Sequence, residues 1–279
     1  MSIFARMEVD YHFFNFEGAR LGYHKSGTGR SALLAFHGFG QDHTSFYAIN
    51  EALAERYTIY SFDLFFHGKS EWPFGDHPLT KNQWNRIITR FLSDQDINRF
   101  SLMGYSLGGK FVLATLETLS PRVDSVFFLA PDGIQLNFWY RLATGTRPMR
   151  ALLKSMIDRP GLFTGTARWA TKIGLVDKGI ARFANTQMDS TEKRQQVYLS
   201  WVVFRWLAFN MKHIARLINA SPIDTRFFIG RFDKMITEKT IAPLHLKLKN
   251  SKLKILESGH TAVISQTAKE FRNIASEKT

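Results

Sequence analysis

The pentapeptide Gly104–Gly108, with the sequence Gly-Tyr-Ser-Leu-Gly, constrains the fold of this chain more than any other stretch. It follows an apolar run at 100–103 and precedes a helix-forming run at 109–117. A serine between strand and helix, with a glycine two residues away on each side, predicts a sharp turn behind which both elements pack closely. The first N–H groups of such a helix point to where negative charge develops in acyl transfer. The stretch therefore predicts a nucleophilic serine, Ser106.

Apolar runs and helix-forming runs alternate along most of the chain. Two short strands are predicted within residues 8–26, and helices include one predicted at 45–56. Continuous apolar strands are predicted at 32–36, 57–62, 100–103, 124–130, 225–229 and 253–256. Strands that are apolar throughout are typical of a parallel sheet buried on both faces. The order predicts an α/β fold, with a mostly parallel sheet flanked by helices on both faces.

The alternation breaks between residues 134 and 220, where helix-like stretches are dense in aromatic residues and arginine. We interpret 134–220 as a helical cap, or lid, inserted after the sixth strand and lying over the carboxyl ends of the strands. Residues 1–133 and 221–279 then form the core domain.

A serine hydroxyl needs a base within hydrogen-bond reach, and the base needs an acid to hold its tautomer. In a parallel sheet these partners come from loops after the strands. Among the histidines that follow Ser106, only His260 lies in such a loop, because His213 and His245 fall within predicted helices. His67 precedes the serine and is a distant second choice as base.

Two aspartates follow strands of the predicted sheet. Asp233 comes after the penultimate strand and Asp132 after the strand at 124–130, whereas Asp124 and Asp224 precede their strands. We favour Asp233 as the acid and keep Asp132 as the alternative. The carboxylate that is not used is expected to fix a loop or anchor the lid.

A glycine-rich turn, His37-Gly38-Phe39-Gly40, follows the first buried strand. With this turn, the elbow at Ser106, and Asp233 and His260 in the order Ser-Asp-His, the chain resembles the α/β-hydrolase superfamily over nearly its whole length. The resemblance implies Ser106 as nucleophile, His260 as base and then acid, and Asp233 as its orienting acid. It also implies an oxyanion hole from the backbone N–H groups of Phe39 and Leu107.

The chain departs from many members of that superfamily at one position, where Phe66 replaces a glycine in the loop 63–70. A serine at the elbow argues against epoxide hydrolase and haloalkane dehalogenase activities, which in this superfamily use an aspartate. Candidate residues of the substrate pocket are His37, Tyr105, Phe66 and Trp139.

Composition narrows the classes of function. The chain has 279 residues and no cysteine, so disulfides, thiol catalysis and Cys-zinc sites are excluded. Neither a signal peptide nor an 18-residue apolar run is seen, so we expect a cytoplasmic protein without an integral membrane segment. No cofactor and no metal are expected.

The net charge of +13 is unevenly distributed. Residues 134–220 contain 14 Lys and Arg against 4 Asp and Glu, a net charge of +10. A solvated basic face, an anionic substrate or an anionic lipid surface each explains this excess. No phosphate-binding loop or RNA-binding motif accompanies it, so nucleic acid is not expected as a partner.

The sequence thus predicts a serine hydrolase that cleaves a small carboxylic ester, anionic or lipid-like, through an acyl-enzyme. One alternative is a hydrolase or lyase that breaks a C–C bond in an anionic metabolite with the same triad. Another is a ligand-binding member of the fold without catalysis. The oligomeric state is not predicted.

Overall fold

The computed structural model describes residues 10–135, 138–158 and 190–276. Within these ranges the strands are β1 Tyr11–Phe16, β2 Ala19–Ser26, β3 Ser31–Phe36, β4 Tyr57–Phe62, β5 Phe100–Tyr105, β6 Val123–Leu129, β7 Asp224–Gly230 and β8 Ser251–Leu256. The helices are α1 Tyr47–Leu53, α2 Lys81–Asp94, α3 Gly108–Leu119, α4 Phe138–Gly145, α5 Arg147–Asp158, α6 Thr191–Val203, α7 Met211–Ala220, α8 Glu238–His245 and α9 Val263–Ser276. Short 3₁₀ turns lie at His43–Phe46, Ser120–Arg122, Phe204–Trp206 and His260–Ala262.

The eight strands form one sheet in the order β1-β2-β4-β3-β5-β6-β7-β8. The pairs β1–β2 and β2–β4 are antiparallel, and every other neighbouring pair is parallel. Parallel strands end at the same edge of a sheet, so the loops after β3, β4, β5, β6, β7 and β8 leave from one side. The predicted mostly parallel sheet is confirmed.

Side chains alternate between two buried faces of the sheet. Leu33 and Ala35 of β3 belong to a cluster that includes Phe46, Ile49 and residues of α9. Their neighbour Phe36 instead packs on Trp84 of α2 and on Phe111 of α3. Because successive side chains of a strand point to opposite faces, helices must cover both sides of the sheet, as predicted.

Contacts divide the described residues into two compact units. The first contains residues 10–73, 81–135 and 207–276, and therefore the sheet with α1, α2, α3, α7, α8 and α9. The second contains residues 74–80, 138–158 and 190–206. The cap boundaries 134–220 stay a prediction, although the contacts place α7 with the sheet.

The second unit consists of helices together with the irregular segment 74–80 in its described part. Helices α4, α5 and α6 pack against one another. The Tyr140 hydroxyl donates to the main-chain oxygen of Trp201, and the Tyr198 hydroxyl donates to Asp76. No helix among the described residues is long and apolar enough to span a bilayer.

Two buried histidines stabilise the turns after β3 and β4 in their neutral form. His37 Nε2 accepts the N–H of Leu64 at 2.9 Å, and its Nδ1 donates to the carbonyl of Gly38 at 2.7 Å. His67 Nδ1 donates to the carbonyl of Phe65 at 2.9 Å, while its buried Nε2 has no partner within the described chain. A proton on this Nε2 would place an unpaired cation in the interior, so burial lowers the pKa of His67 to about 3.

The lowered pKa of His67 predicts acid sensitivity. In the unfolded chain a histidine titrates near 6.5, so below that pH the unfolded state binds the proton and the folded state does not. The free energy of unfolding is expected to fall by about 2 kcal/mol between pH 7 and pH 5 through His67 alone. Urea denaturation at both pH values should show this loss reduced by that amount in His67→Asn, whose amide can still donate to Phe65. His77→Asn, which changes an exposed histidine, is the control. Equal losses in wild type and His67→Asn would contradict the assignment.

Candidate active site

Ser106 lies in the turn between β5 and α3 with φ = +47°, a left-handed conformation that is unusual for a residue other than glycine. Its N–H donates to the Leu129 carbonyl at 3.0 Å. Its own carbonyl accepts the N–H groups of Gly109 at 2.9 Å and of Asp132 at 2.8 Å. Three backbone hydrogen bonds therefore hold the strained residue between the end of β6 and the first turn of α3.

The two glycines of the motif allow the close approach that this turn requires. A Cβ atom on Gly108 would lie 1.9 Å from the carbonyl oxygen of Phe36, and one on Gly104 would lie 2.6 Å from Val112. Both distances are far below van der Waals contact. Helix α3 can pack directly behind β3 and β5 only because these side chains are absent.

The structure brings the three predicted catalytic side chains together. His260 Nε2 lies 3.0 Å from the Ser106 hydroxyl oxygen, and His260 Nδ1 lies 2.6 Å from Asp233 Oδ2. Asp233 is buried, and its other oxygen accepts the N–H groups of Met235 at 2.8 Å and Ile236 at 3.0 Å. Because an ionised carboxylate only accepts, the proton of a neutral His260 is on Nδ1. Nε2 is then free to accept the serine proton.

Tyr105 holds His260 from a second direction. Its hydroxyl donates to the main-chain oxygen of His260 at 3.0 Å, and the two rings lie 5.2 Å apart. Burial, with the nearby Asp233 charge as the smaller cause, raises the pKa of Tyr105, so its hydroxyl stays a donor. The candidate pocket residue Tyr105 thus contacts His260 directly.

Two backbone N–H groups lie in the turns that lead into this cluster. Phe39 follows β3, and Leu107 follows Ser106 at the start of α3. In the part of the chain that the structure describes, neither N–H has a hydrogen-bond acceptor, although Leu107 is buried. Unpaired backbone donors in a buried setting are uncommon and fit a site that binds an oxyanion.

Asp63, at the end of β4, fixes the turn that carries Phe39. Its carboxylate accepts the Tyr11 hydroxyl at 2.5 Å, the N–H and Nδ1 of His43 at 2.8 and 2.9 Å, and the N–H of Lys69 at 3.0 Å. Burial alone would raise the pKa of Asp63, but the bonds from His43, Tyr11 and Lys69 lower it to about 2. Asp63 therefore stays ionised and ties β1 and the loops after β3 and β4 together.

Asp132, the alternative acid, has a different partner. Its Oδ2 lies 3.3 Å from the ammonium of Lys110, whose side chain is 3% exposed, and its Oδ1 accepts the N–H of Gly133. Lys110 lies in the first turn of α3, where the helix dipole disfavours a cation. The pair thus neutralises a buried charge directly behind Ser106.

The remaining sequence candidates lie at different places. His37 is fully buried with both ring nitrogens bonded to backbone, so it holds a turn and does not line a pocket. Phe66 has φ = +69°, a left-handed backbone conformation that glycine adopts more easily than phenylalanine. Trp139 is in α4, and its side chain lies outside the described part of the structure.

Sequence reasoning missed three polar residues around the site. Tyr11 and His43 reach Asp63 across 52 and 20 positions of the chain, and Lys110 pairs with Asp132. Only Lys110 carried a signal, because a lysine within the otherwise apolar start of a helix is anomalous. Tyr11 and His43 are ordinary surface residue types at their positions in the sequence.

Comparison with known proteins identifies the family. The family model of the alpha/beta hydrolase fold matches residues 31–267, so this chain belongs to the alpha/beta hydrolase fold family. Among curated proteins, it is 26% identical over 254 residues to an uncharacterized protein of Mycobacterium tuberculosis, covering 87% of this chain and 73% of the relative.

Solved structures share the fold at low identity. The enol-lactonase of Burkholderia xenovorans LB400 matches with a TM-score of 0.65 and 17% identity, covering 95% of this chain and 98% of the other. The meta-cleavage product hydrolase of Pseudomonas fluorescens IP01 matches with a TM-score of 0.64 and 20% identity, covering 95% and 96%. Both likenesses show the fold.

Gly108→Ala is expected to disrupt the packing behind Ser106. The new methyl group would overlap the Phe36 carbonyl, so α3 must move away from β3 at a cost of about 3 kcal/mol in the free energy of unfolding. Gly259→Ala, which meets no atom within 4 Å, should stay within about 0.5 kcal/mol of wild type. Urea denaturation of both variants measures the difference, and similar stabilities would show that the close approach is not required.

Proposed function

We propose that this chain is a serine hydrolase that cleaves small carboxylic esters through an acyl-enzyme, with Ser106, His260 and Asp233 as its catalytic triad. The observation that carries the proposal is the continuous series of contacts from the Ser106 hydroxyl through His260 to Asp233, at 3.0 and 2.6 Å. Membership of a hydrolase family supports it independently.

The geometry supports a two-step reaction. The Ser106 oxygen attacks the ester carbonyl while His260 Nε2 takes the hydroxyl proton, and the buried Asp233 carboxylate stabilises the imidazolium. The backbone N–H groups of Phe39 and Leu107 donate hydrogen bonds to the negatively charged oxygen that forms from the carbonyl. The carbon–oxygen bond to the alcohol then breaks, and His260 returns the proton to the leaving alcohol.

Hydrolysis of the acyl-enzyme repeats these roles. His260 Nε2 removes a proton from a water molecule, whose oxygen attacks the acyl carbon. The same two N–H groups bind the second oxyanion, the bond to Ser106 breaks, and the proton passes from His260 to the serine oxygen. One water is consumed, and one carboxylic acid and one alcohol are produced.

A second candidate is cleavage of a C–C bond in an anionic metabolite by the same triad. It is favoured by the shared fold of the meta-cleavage product hydrolase and by the net charge of +13. Nitrophenyl esters with neutral and with carboxylate-bearing acyl groups of equal length distinguish the two. Comparable kcat/KM values support the ester hydrolase, whereas turnover limited to the carboxylate-bearing esters shows the preference for anionic substrates that the second candidate requires.

Ser106→Ala should lower kcat/KM for nitrophenyl esters by at least about 10⁴-fold, because it removes the nucleophile and leaves only binding and the oxyanion donors. Ser101→Ala makes the same change on β5, away from His260, and is the matched control. A fluorophosphonate probe should label wild type but not Ser106→Ala. Full activity in Ser106→Ala would refute the role of Ser106, and failure of wild type to label would instead favour a ligand-binding protein.

Substitution of Asp233 and substitution of Asp132 are expected to affect kcat differently. Asp233→Asn should lower kcat by about 10⁴-fold, since an amide no longer fixes the Nδ1–H tautomer of His260. Asp132→Asn should change kcat by less than about tenfold, although it weakens the contact of this side chain with the buried Lys110 and is expected to lower the free energy of unfolding by about 2 kcal/mol. Steady-state kinetics with urea denaturation separates these effects. A greater loss of kcat in Asp132→Asn would reassign the acid.

A further inference from the structure

One face of α7 forms a basic groove with the segment after α8. The groove has a volume of about 450 Å³ and is lined by Asn210, Lys212, Ala215, Arg216, Asn219 and Lys247. Four of these residues follow the spacing i, i+3, i+4, i+7, so they share one side of the helix. We call this surface the α7 groove. All of its residues belong to the unit that contains the sheet.

The cations of the α7 groove are exposed and lack acidic partners. Lys212, Arg216 and Lys247 are all exposed, and no carboxylate of the described residues lies within ion-pair distance of them. Most other exposed arginines of the sheet unit do have partners, such as Arg86 with Glu17 and Arg272 with Glu51. The positive charge of the groove is therefore uncompensated within the described chain.

The placement of these cations disfavours the folded helix. Lys212 lies in the first turn of α7, where the helix dipole repels a positive charge. Arg216 is one turn further on, and like charges four residues apart destabilise a helix. Residues that break local rules without a compensating partner inside the fold are expected where a function requires them.

The opposite wall of the groove is held in place by α7 itself. The Asn219 side chain donates to the Lys247 carbonyl at 2.8 Å and accepts the Lys249 N–H at 2.9 Å. This bidentate contact fixes the backbone after α8, so Lys247 and Lys249 are presented from an ordered segment. Leu246, immediately before Lys247, is 77% exposed.

We propose that the α7 groove and Leu246 form a docking surface for anionic phospholipid headgroups at a membrane surface. Lysine and arginine near a membrane attract anionic lipids, and an exposed leucine beside them can enter the boundary between headgroups and acyl chains. A nucleic-acid surface would present aromatic side chains for base stacking, and the groove is lined by none. The proposal concerns binding and does not depend on the proposed ester hydrolysis.

Sedimentation with vesicles tests the proposal. At 50 mM NaCl the protein should bind vesicles of phosphatidylglycerol and phosphatidylcholine in equal parts, and should not bind pure phosphatidylcholine. The triple variant Lys212→Ser/Arg216→Ser/Lys247→Ser should bind about a hundredfold more weakly, because each cation near the surface contributes about a fivefold factor. Leu246→Ser should weaken binding severalfold at both low and high salt.

A matched variant separates this surface from net charge. Arg30→Ser/Arg56→Ser/Lys269→Ser removes three exposed cations elsewhere and should bind within about threefold of wild type. Far-UV circular dichroism confirms that each variant is folded. Equal losses in the two triple variants, or no preference of wild type for anionic vesicles, would overturn the proposal.

Two further measurements test other ligands of the α7 groove. Oligouridine that binds wild type but not the groove variant, without vesicle binding, would overturn the proposal in favour of a nucleic acid. Release of bound protein by inorganic phosphate at constant ionic strength would indicate a small-anion site and would also overturn it. Binding that persists in phosphate and is lost only in the groove variant supports the docking surface.

Discussion

The strained conformation of Ser106 is the constraint on which the rest of the site depends. A left-handed serine is held only because its N–H and carbonyl bond to the end of β6 and to α3, and because α3 lies directly against β3. The same contacts place the Leu107 N–H beside the serine. Since β3, β5 and β6 are parallel neighbours, the turn that carries Phe39 and the loop that carries Asp132 reach the same edge.

Ionisable groups around this edge are buried, and each is neutralised by a different means. Asp63 receives four hydrogen bonds, His37 and His67 stay neutral, and Lys110 is paired with Asp132. Burial of these groups does not itself stabilise the folded protein, because the low-dielectric interior disfavours charge. Their combined effect is to hold three loops in place, which the proposed reaction, with its distances of about 3 Å, would require.

The sequence predicted the fold, and Ser106, His260 and Asp233 lie in turns after strands, where it placed them. Their catalytic roles stay a prediction. The sequence predicted boundaries less well. The helix expected at 45–56 is a 3₁₀ turn at His43–Phe46 followed by α1, and it begins early because Asp42 accepts the Thr44 N–H. Contacts of Tyr11 and His43 with Asp63 depend on tertiary packing and leave no short pattern in the sequence.

The hairpin β1–β2 lies before residue 31, where the match to the family model begins, yet it forms two of the eight strands of the sheet. Strand β2 pairs with β4, and Tyr11 of β1 donates to Asp63. A fragment of residues 31–267 would leave β4 as an edge strand with unpaired backbone N–H and C=O groups. It would also lack the hydrogen bond from Tyr11 to Asp63. The region that the family model matches therefore lacks one strand pairing and one side-chain hydrogen bond that the described fold uses.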